Sequence, residues 1–282
     1  EGDPASERTE VYLLYDDENL YVGARCFDTS GEEGIVITDM RRDYPPFDND
    51  TFVFVLDTFN DDRNGYLFST NPRGSKHDSQ IANDGGKSNR DWDGIWHVKT
   101  KITEWGWLVE IAIPFKTLRF GRDEEQLWGI NFQRRIRRKN EASHWSRIPR
   151  PYFITRLSDA GKLEGLRGIQ SGRNLFVKPY VSAPVVRLRG DDVDFLPDAG
   201  FDVKYSLISQ LTLDLTVNTD FSQVEADDEQ INLTRFSLFF PEKREFFLEN
   251  AATFLFGPGS VGGLGGAFRD LIPFFSRRIG IS

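Results

Sequence analysis

The sequence predicts an all-β protein in two units, a β-sandwich first and antiparallel β-hairpins after it. Strand-like runs recur every ten to fifteen residues through the first half, separated by short polar or glycine-containing turns, a spacing that suits sandwiches and barrels rather than βαβ units. Composition agrees: the 282 residues include 24 Phe and 25 Gly against one Met, which favours strands and tight turns over helical bundles. The pattern then changes character past "SDAGKLEGLRGIQSGRN", Ser158 to Asn174, where periodicity fades and glycine and charge rise. A boundary near residue 170 follows, giving units 1–170 and 171–282.

In order, the strands of the first unit are "TEVYLLYD", "NLYVGARCFD", "DTFVFVLDTF", "NGYLFSTNP", "GIWHVKTKI", "GWLVEIAIPF" and "WGINFQRRIRR". In "TFVFVLD" both Phe52, Phe54 and Leu56 and the alternating Val53 and Val55 are apolar, so this strand needs cover on both faces. "WGINFQRRIRR" sets Trp128, Ile130, Phe132 and Ile136 on one face against Asn131, Gln133, Arg135 and Arg137 on the other, and the second face can carry a ligand. In the second unit, "QLTLDLTVN" places Leu211, Leu213, Leu215 and Val217 on one side and polar residues on the other, after the similarly alternating "GFDVKYSL". Such a hairpin suits half of a soluble sheet or the lipid-facing wall of a membrane barrel, and periodicity alone does not choose.

Charge narrows the partners. With 35 Lys and Arg against 44 Asp and Glu, the chain carries a formal charge of -9, which argues against a general nucleic-acid binder. The single cysteine, Cys26, has no partner in the chain and reads as a small apolar strand residue. Three histidines without paired spacing make no zinc signature, and no nucleophile elbow or phosphate-cradling loop is present. The chain opens almost directly on a strand and stops at "FFSRRIGIS", so it reads as a piece of something longer.

Those residues carry a resemblance. "RTEVYLLYDDENLYVGARCFD", "DTFNDDRNGYLFSTNPRGSKHD", "WDGIWHVKTKITEWGWLVEIAIPFKTLRF" and "WGINFQRRIRRKNEASHWS" resemble a family 9 carbohydrate-binding module, in the version fused to domain of unknown function 5916 in bacterial envelope proteins. "VNTDFSQVEADDEQINLTRFSLFFPEKREFFLENAATF" with "FFSRRIG" is similar to the most recognisable stretch of that second domain. The resemblance implies a sandwich attached to the opening strands of an outer-membrane-type β-barrel, on the periplasmic or extracellular side of the envelope. On that reading, clustered Phe and charge in the Asn218–Asn250 stretch divide between an apolar exterior and a polar interior.

Glycan recognition needs flat aromatic faces edged by polar groups. Trp92 and Trp145 lie in loops beside charged residues, and "MRRDYPPFDND" offers Arg41, Arg42, Asp43 and Tyr44 in a proline-stiffened loop, of which the resemblance favours Arg41 and Asp43. Trp92, Trp145, Arg41, Asp43 and Tyr44, with Arg135 and Arg137, form the expected carbohydrate-binding set, against the plainer reading of packed tryptophans and a solvated loop. "DTFNDDRNG" gathers Asp57, Asn60, Asp61 and Asp62. Calcium takes such oxygens, and family 9 modules often hold structural calcium; a hairpin turn that favours Asn and Asp is the competing reading, and both stand. The functional expectation is a non-catalytic glycan- or polysaccharide-binding envelope protein, associated with the outer membrane. Alternatives are a protein-interaction subunit of a larger membrane-associated assembly, and a polysaccharide hydrolase using Glu225, Asp227 and Glu242.

Overall fold

The computed structural model describes residues 2, 4–90, 92–170, 175–182, 185–187, 193–195, 198–208 and 211–218. These form two compact units that part at residue 172. The first carries β1 (Thr9–Tyr15), β2 (Asn19–Phe27), β3 (Thr51–Asp57), β4 (Gly65–Thr70), β5 (Lys76–Ala82) and β6 (Lys87–Asn89). It continues with β7 (His97–Thr103), β8 (Gly106–Pro114), β9 (Glu125–Ile136), β10 (Glu141–His144) and β11 (Gly161–Arg167).

Two antiparallel sheets face each other. One has the order β1-β2-β8-β7; the other runs β10-β9-β3-β4-β5-β6, with β11 pairing the start of β9 and β10 its end. Strand alternation builds the layer between them. Leu20, Val22, Ala24 and Cys26 of β2 and Trp107, Val109, Ile111 and Ile113 of β8 meet Phe52, Phe54 and Leu56 of β3, Phe68 of β4, and Trp128 and Ile130 of β9, all buried. Aromatic rings interleave there, with Phe54 stacked on Phe68 at 5.3 Å and Phe52 on Phe132 at 6.1 Å. Burial pushes the Cys26 thiol up to about 12, because the apolar layer opposes the thiolate.

The larger sheet is covered on its outer face too. Val53, Val55, Leu67 and Ile81 form a second cluster with Ile154 and Leu157, which the segment between β10 and β11 lays across β3 and β4. Both faces of β3 are therefore buried, as its unbroken apolar run requires. On β9, Trp128, Ile130, Phe132 and Ile136 are buried as alternation expects, and Asn131 is buried on the opposite face with its Oδ1 accepting the Ser146 N–H. Arg134 departs from the expectation. It shares the inner face with the apolar residues, is 2% exposed, and its guanidinium donates to the carbonyls of Arg8 and Phe27.

The second unit holds β12 (Leu175–Ser182), β13 (Val185–Arg187), β14 (Val193–Phe195), β15 (Asp198–Ile208) and β16 (Leu211–Val217). β13 and β14 pair as a hairpin, and the others form an antiparallel sheet in the order β12-β15-β16. Register aligns Leu175, Tyr205 and Leu213, then Val177, Val203 and Leu215, then Pro179, Phe201 and Val217, so one face of three strands is apolar throughout. That face is the open one. Leu175, Val177, Val181, Leu213 and Leu215 are each more than half exposed, whereas Lys178, Asp202 and Thr216 on the other face are only partly so. Gly200 permits the close packing of that polar face: a Cβ there would lie 2.3 Å from the Tyr180 hydroxyl across the strand pair.

Of the Asn218–Asn250 stretch, all but Asn218 lies outside the described residues, and so do Glu225, Asp227 and Glu242.

Candidate functional site

The loop from Thr38 to Asn49 is built to be rigid. Asn49 is fully buried, its side-chain oxygen accepting the Thr38 N–H at 2.7 Å and its amide donating to the Pro45 carbonyl at 2.9 Å. Asn71, also buried, donates to the Asp39 carbonyl at 2.8 Å and accepts the N–H groups of Arg73 and Ser75. Two asparagine side chains thus supply the hydrogen bonds that a loop off the sheet lacks. Asp43 takes a left-handed backbone conformation at φ 57° and donates its N–H to the Lys76 carbonyl at 2.8 Å.

That geometry aims Arg42 at the edge of the larger sheet. Its Nη2 lies 2.5 Å from Asp78 Oδ1 and its Nε 2.6 Å from Asp93 Oδ1, with Asp43 3.6 Å away. Asp78 projects from β5 toward the inter-sheet layer, its side chain is wholly buried, and its second oxygen accepts the Gly94 N–H at 2.6 Å. Burial raises the Asp78 carboxyl to about 6, against the lowering pull of the Gly94 N–H and Arg42. Asp93 is the open member, with its side chain 68% exposed. On the outer face of the same strand, His77 Nδ1 sits 3.2 Å from Asp43 Oδ1, and burial lowers its pKa against the raising effect of that carboxylate.

An aromatic wall borders these charges. Trp92 is partly buried, 5.0 Å from the Tyr66 ring and 6.0 Å from Phe68, and lies on Gly94, where a Cβ would come within 2.6 Å of the indole. Lys76 donates to the Trp96 carbonyl and stands 5.2 Å over the Trp96 ring. The result is a half-exposed guanidinium held between two carboxylates beside an indole. It offers donors, acceptors and an apolar plane in one fixed arrangement.

The expected carbohydrate-binding residues fall in three places. Asp43 and Trp92 border the Arg42 cluster, and Tyr44 lies next to it, but its ring is 1% exposed and its hydroxyl is 2.8 Å from Ser69 Oγ. Tyr44 therefore braces the loop and presents no open face. Arg41 is turned to Asp39, which takes its Nε and Nη2, while its neighbour Arg42 occupies the cluster. Arg135 and Arg137 lie at the end of β9, three strands from β5. Trp145 stands apart, 62% exposed, its ring 5.9 Å from Phe132 and pressed over Gly161. Sequence reasoning named Arg42 among the polar residues of the loop but favoured Arg41 and Asp43 over it, and it missed Asp78 and His77; the available signal for those two was a polar run, "KHDSQ", inside a region of regular strand spacing.

The calcium set does not fit a metal. Asp57 is buried and its two oxygens accept the N–H groups of Asp61 and Asp62 at 3.2 and 2.8 Å. Asp61 accepts from Arg63, Asn64 and the Asn64 amide, and the Lys162 ammonium reaches Asn60 and Asp62. Asn60 and Asp62 hold positive φ, the conformation for which Asn and Asp are favoured in turns. The carboxylates close a hairpin, and a lysine already supplies the counter-charge. Among the described residues no group of three or more His, Cys, Asp or Glu is placed to hold a metal ion.

The site geometry stands on the sandwich, and the sequence comparison bears on the other unit. Residues 172–282 match the family model of a domain of unknown function (DUF5916). The DUF5916 match begins where the sandwich ends, so it covers the apolar-faced sheet and leaves the Arg42 cluster outside. No curated protein matches the chain. Solved structures similar to it include a protein from Bacteroides uniformis ATCC 8492 provisionally described as carbohydrate-binding, at 13% identity over 57% of this chain and 79% of that one, TM-score 0.49. Two others are a family 9 carbohydrate-binding module from Caldicellulosiruptor kristjanssonii. Its cellotriose complex aligns at 19% identity over 51% of this chain and 66% of that one, TM-score 0.36, and its glucose complex at 18% over 61% and 83%, TM-score 0.42. Likeness at this level transfers no residue, ligand or activity.

The buried carboxylate of the cluster makes a prediction about stability. Folded Asp78 keeps its proton up to about pH 6 and the unfolded residue only to about 3.8. Between those values the folded state binds more protons, so this group's contribution is present below about pH 4 and is lost as pH rises through 6. Wild type minus Asp78→Asn, in denaturant titrations from pH 4 to 7, is expected to fall by about 2–3 kcal/mol. Taking the difference removes the opposite slope from His77. A flat difference would mean that Asp78 is ionised in the fold without cost.

Proposed function

We propose that the sandwich is a non-catalytic glycan-binding module and that the DUF5916 unit holds it at the bacterial envelope, in association with the outer membrane on its periplasmic or outer side. The observation that carries the first half is the Arg42, Asp78 and Asp93 constellation beside Trp92. Sugars present neighbouring hydroxyls at the edge of a ring and C–H groups on its face. A guanidinium donates to such hydroxyls, carboxylates accept from them, and an indole covers the face. Because Arg42 and the two aspartates fix one another, little side-chain entropy is left to lose on binding.

Affinity electrophoresis in neutral polysaccharide gels tests this. Arg42→Met, Asp93→Asn and Trp92→Ala are each expected to weaken retention about tenfold or more, in line with the loss of a charged hydrogen bond or a stacking face. Trp145→Ala, away from the cluster, is expected to leave it unchanged. Unaltered retention in all three cluster variants would move the site elsewhere.

Support for the second half comes from the inverted exposure of the β12-β15-β16 sheet, whose apolar face is the open one. Barrel walls in lipid have this pattern, apolar outward and polar inward, on tilted strands of about 9 to 11 residues. The competing reading is a protein-interaction subunit without sugar binding, in which the same face packs against another envelope or membrane-complex protein. It gains if the wild type is retained by no glycan.

A further inference from the structure

The end of β9 presents a second arrangement, about three strand spacings or ~14 Å from β5 across the outer face of the larger sheet. Arg135 projects onto this face, and Arg137, in the turn that follows β9, is close enough to act on its charge. Arg135 lies over the Phe47 ring at 5.2 Å, with its Nε donating to the Phe47 carbonyl and its Nη2 to Asn140 Oδ1. Phe47 meets Phe153 edge to face at 6.3 Å, and the two rings are 52% and 65% exposed. Charge is not balanced here. Among the described residues no carboxylate lies within ion-pair distance of Arg135, and Arg137 has only Asp48, at 4.0 Å. Burial and the like charge of Arg137 push the Arg135 pKa down, against the smaller raising effect of Asp48, so one carboxylate is shared between two guanidiniums.

Two guanidiniums short of negative charge, next to an open aromatic pair, call for a ligand that is both anionic and flat-faced. Carboxylate and sulfate groups accept the forked donors of arginine, and the C–H face of a pyranose covers an aromatic ring. A small inorganic anion would leave Phe47 and Phe153 open. We propose that this face binds acidic glycan, with the carboxylate or sulfate on Arg135 and Arg137 and the sugar ring on Phe47 and Phe153. The inference rests on the glycan reading of the sandwich but places the acidic chain at a site separate from the Arg42 cluster.

The test runs the 282-residue protein in gels containing polygalacturonate, dextran sulfate or a neutral β-glucan, and mixes it separately with anionic phospholipid vesicles. Retention by at least one acidic polymer is expected, weakened about tenfold by the Arg135→Gln/Arg137→Gln double variant and by about 0.5 M salt. The two acidic gels tell carboxylate from sulfate. Neutral retention should be unaffected by the double variant. Phe153→Ala, which keeps both charges and removes a ring that is 65% exposed, should also weaken acidic retention, and it guards against a folding defect in the double variant. Acidic retention that survives both variants, its absence in the wild type, or binding to the vesicles in its place would overturn the proposal. Neutral retention absent while Arg135-dependent acidic retention persists would sink the Arg42 reading alone; loss of both would sink both.

Discussion

If the β12-β15-β16 sheet is the barrel wall proposed above, Leu215→Arg is expected to destabilise the protein in phospholipid vesicles by about 2–4 kcal/mol, the cost of a cationic side chain on a lipid-facing wall. Thr216→Arg, one residue on, is expected to cost little. The contrast comes from register: Leu215 stands beside Val203 and Val177 in an apolar row, and Thr216 projects to the opposite face beside Asp202. Leu215 is 53% exposed, so in water its replacement by a charge would remove no core contact of consequence. Unfolding by denaturant in vesicles, with each variant compared with wild type, reads the asymmetry. Equal costs on the two faces would remove the membrane reading, and a cost for Leu215→Arg that appears only with a protein partner present would favour the interaction reading.

Arg134→Met is expected to cost about 3–5 kcal/mol, the range for breaking a buried charge pair from one side. Its guanidinium lies 3.9 Å from Asp28, whose side chain is also fully buried. Asp28 keeps Arg138 at 2.7 Å, so it is not left wholly alone, and the lower part of the range applies if Arg138 shifts inward. For a unit of this size the melting midpoint should fall by roughly 6–20 °C. The double variant Arg134→Met/Asp28→Asn should recover part of the loss, since neither charge then remains buried. A single-variant cost below about 0.5 kcal/mol would mean that the pair is solvated in the fold.

How much of this was readable from the sequence depended on whether hydrophobic alternation and chemistry asked for the same residues. In β3 they agreed: "TFVFVLD" demanded cover on both faces and has it, from the facing sheet and from Ile154 and Leu157. In β5 they did not. Its positions are filled by His77, Asp78 and Ser79, buried polar groups tied to the loop, Arg42 and β6, so the strand carries no apolar signal and the Asp78 and His77 part of the site is hidden with it, while Arg42, Asp43 and Trp92 are legible as loop residues. Arg134 is a case of the same kind, a charged residue where the face pattern calls for an apolar one. In the Thr38–Asn49 loop the residue types were legible but their directions were not. Whether Arg41 or Arg42 reaches the sheet is decided by the positive φ at Asp43 and by Asn49 and Asn71, which no periodicity encodes.

The buried thiol of Cys26 has a practical consequence. It is the only thiol in the chain, and with its pKa near 12 only about one molecule in ten thousand would carry the reactive thiolate at pH 8. Alkylating reagents will therefore pass over the native protein and modify it only when the two sheets separate, making the wild-type chain its own clock for opening of the sandwich. The same silence means that a cysteine engineered onto the exposed edge of either proposed glycan surface would take a fluorescent label alone.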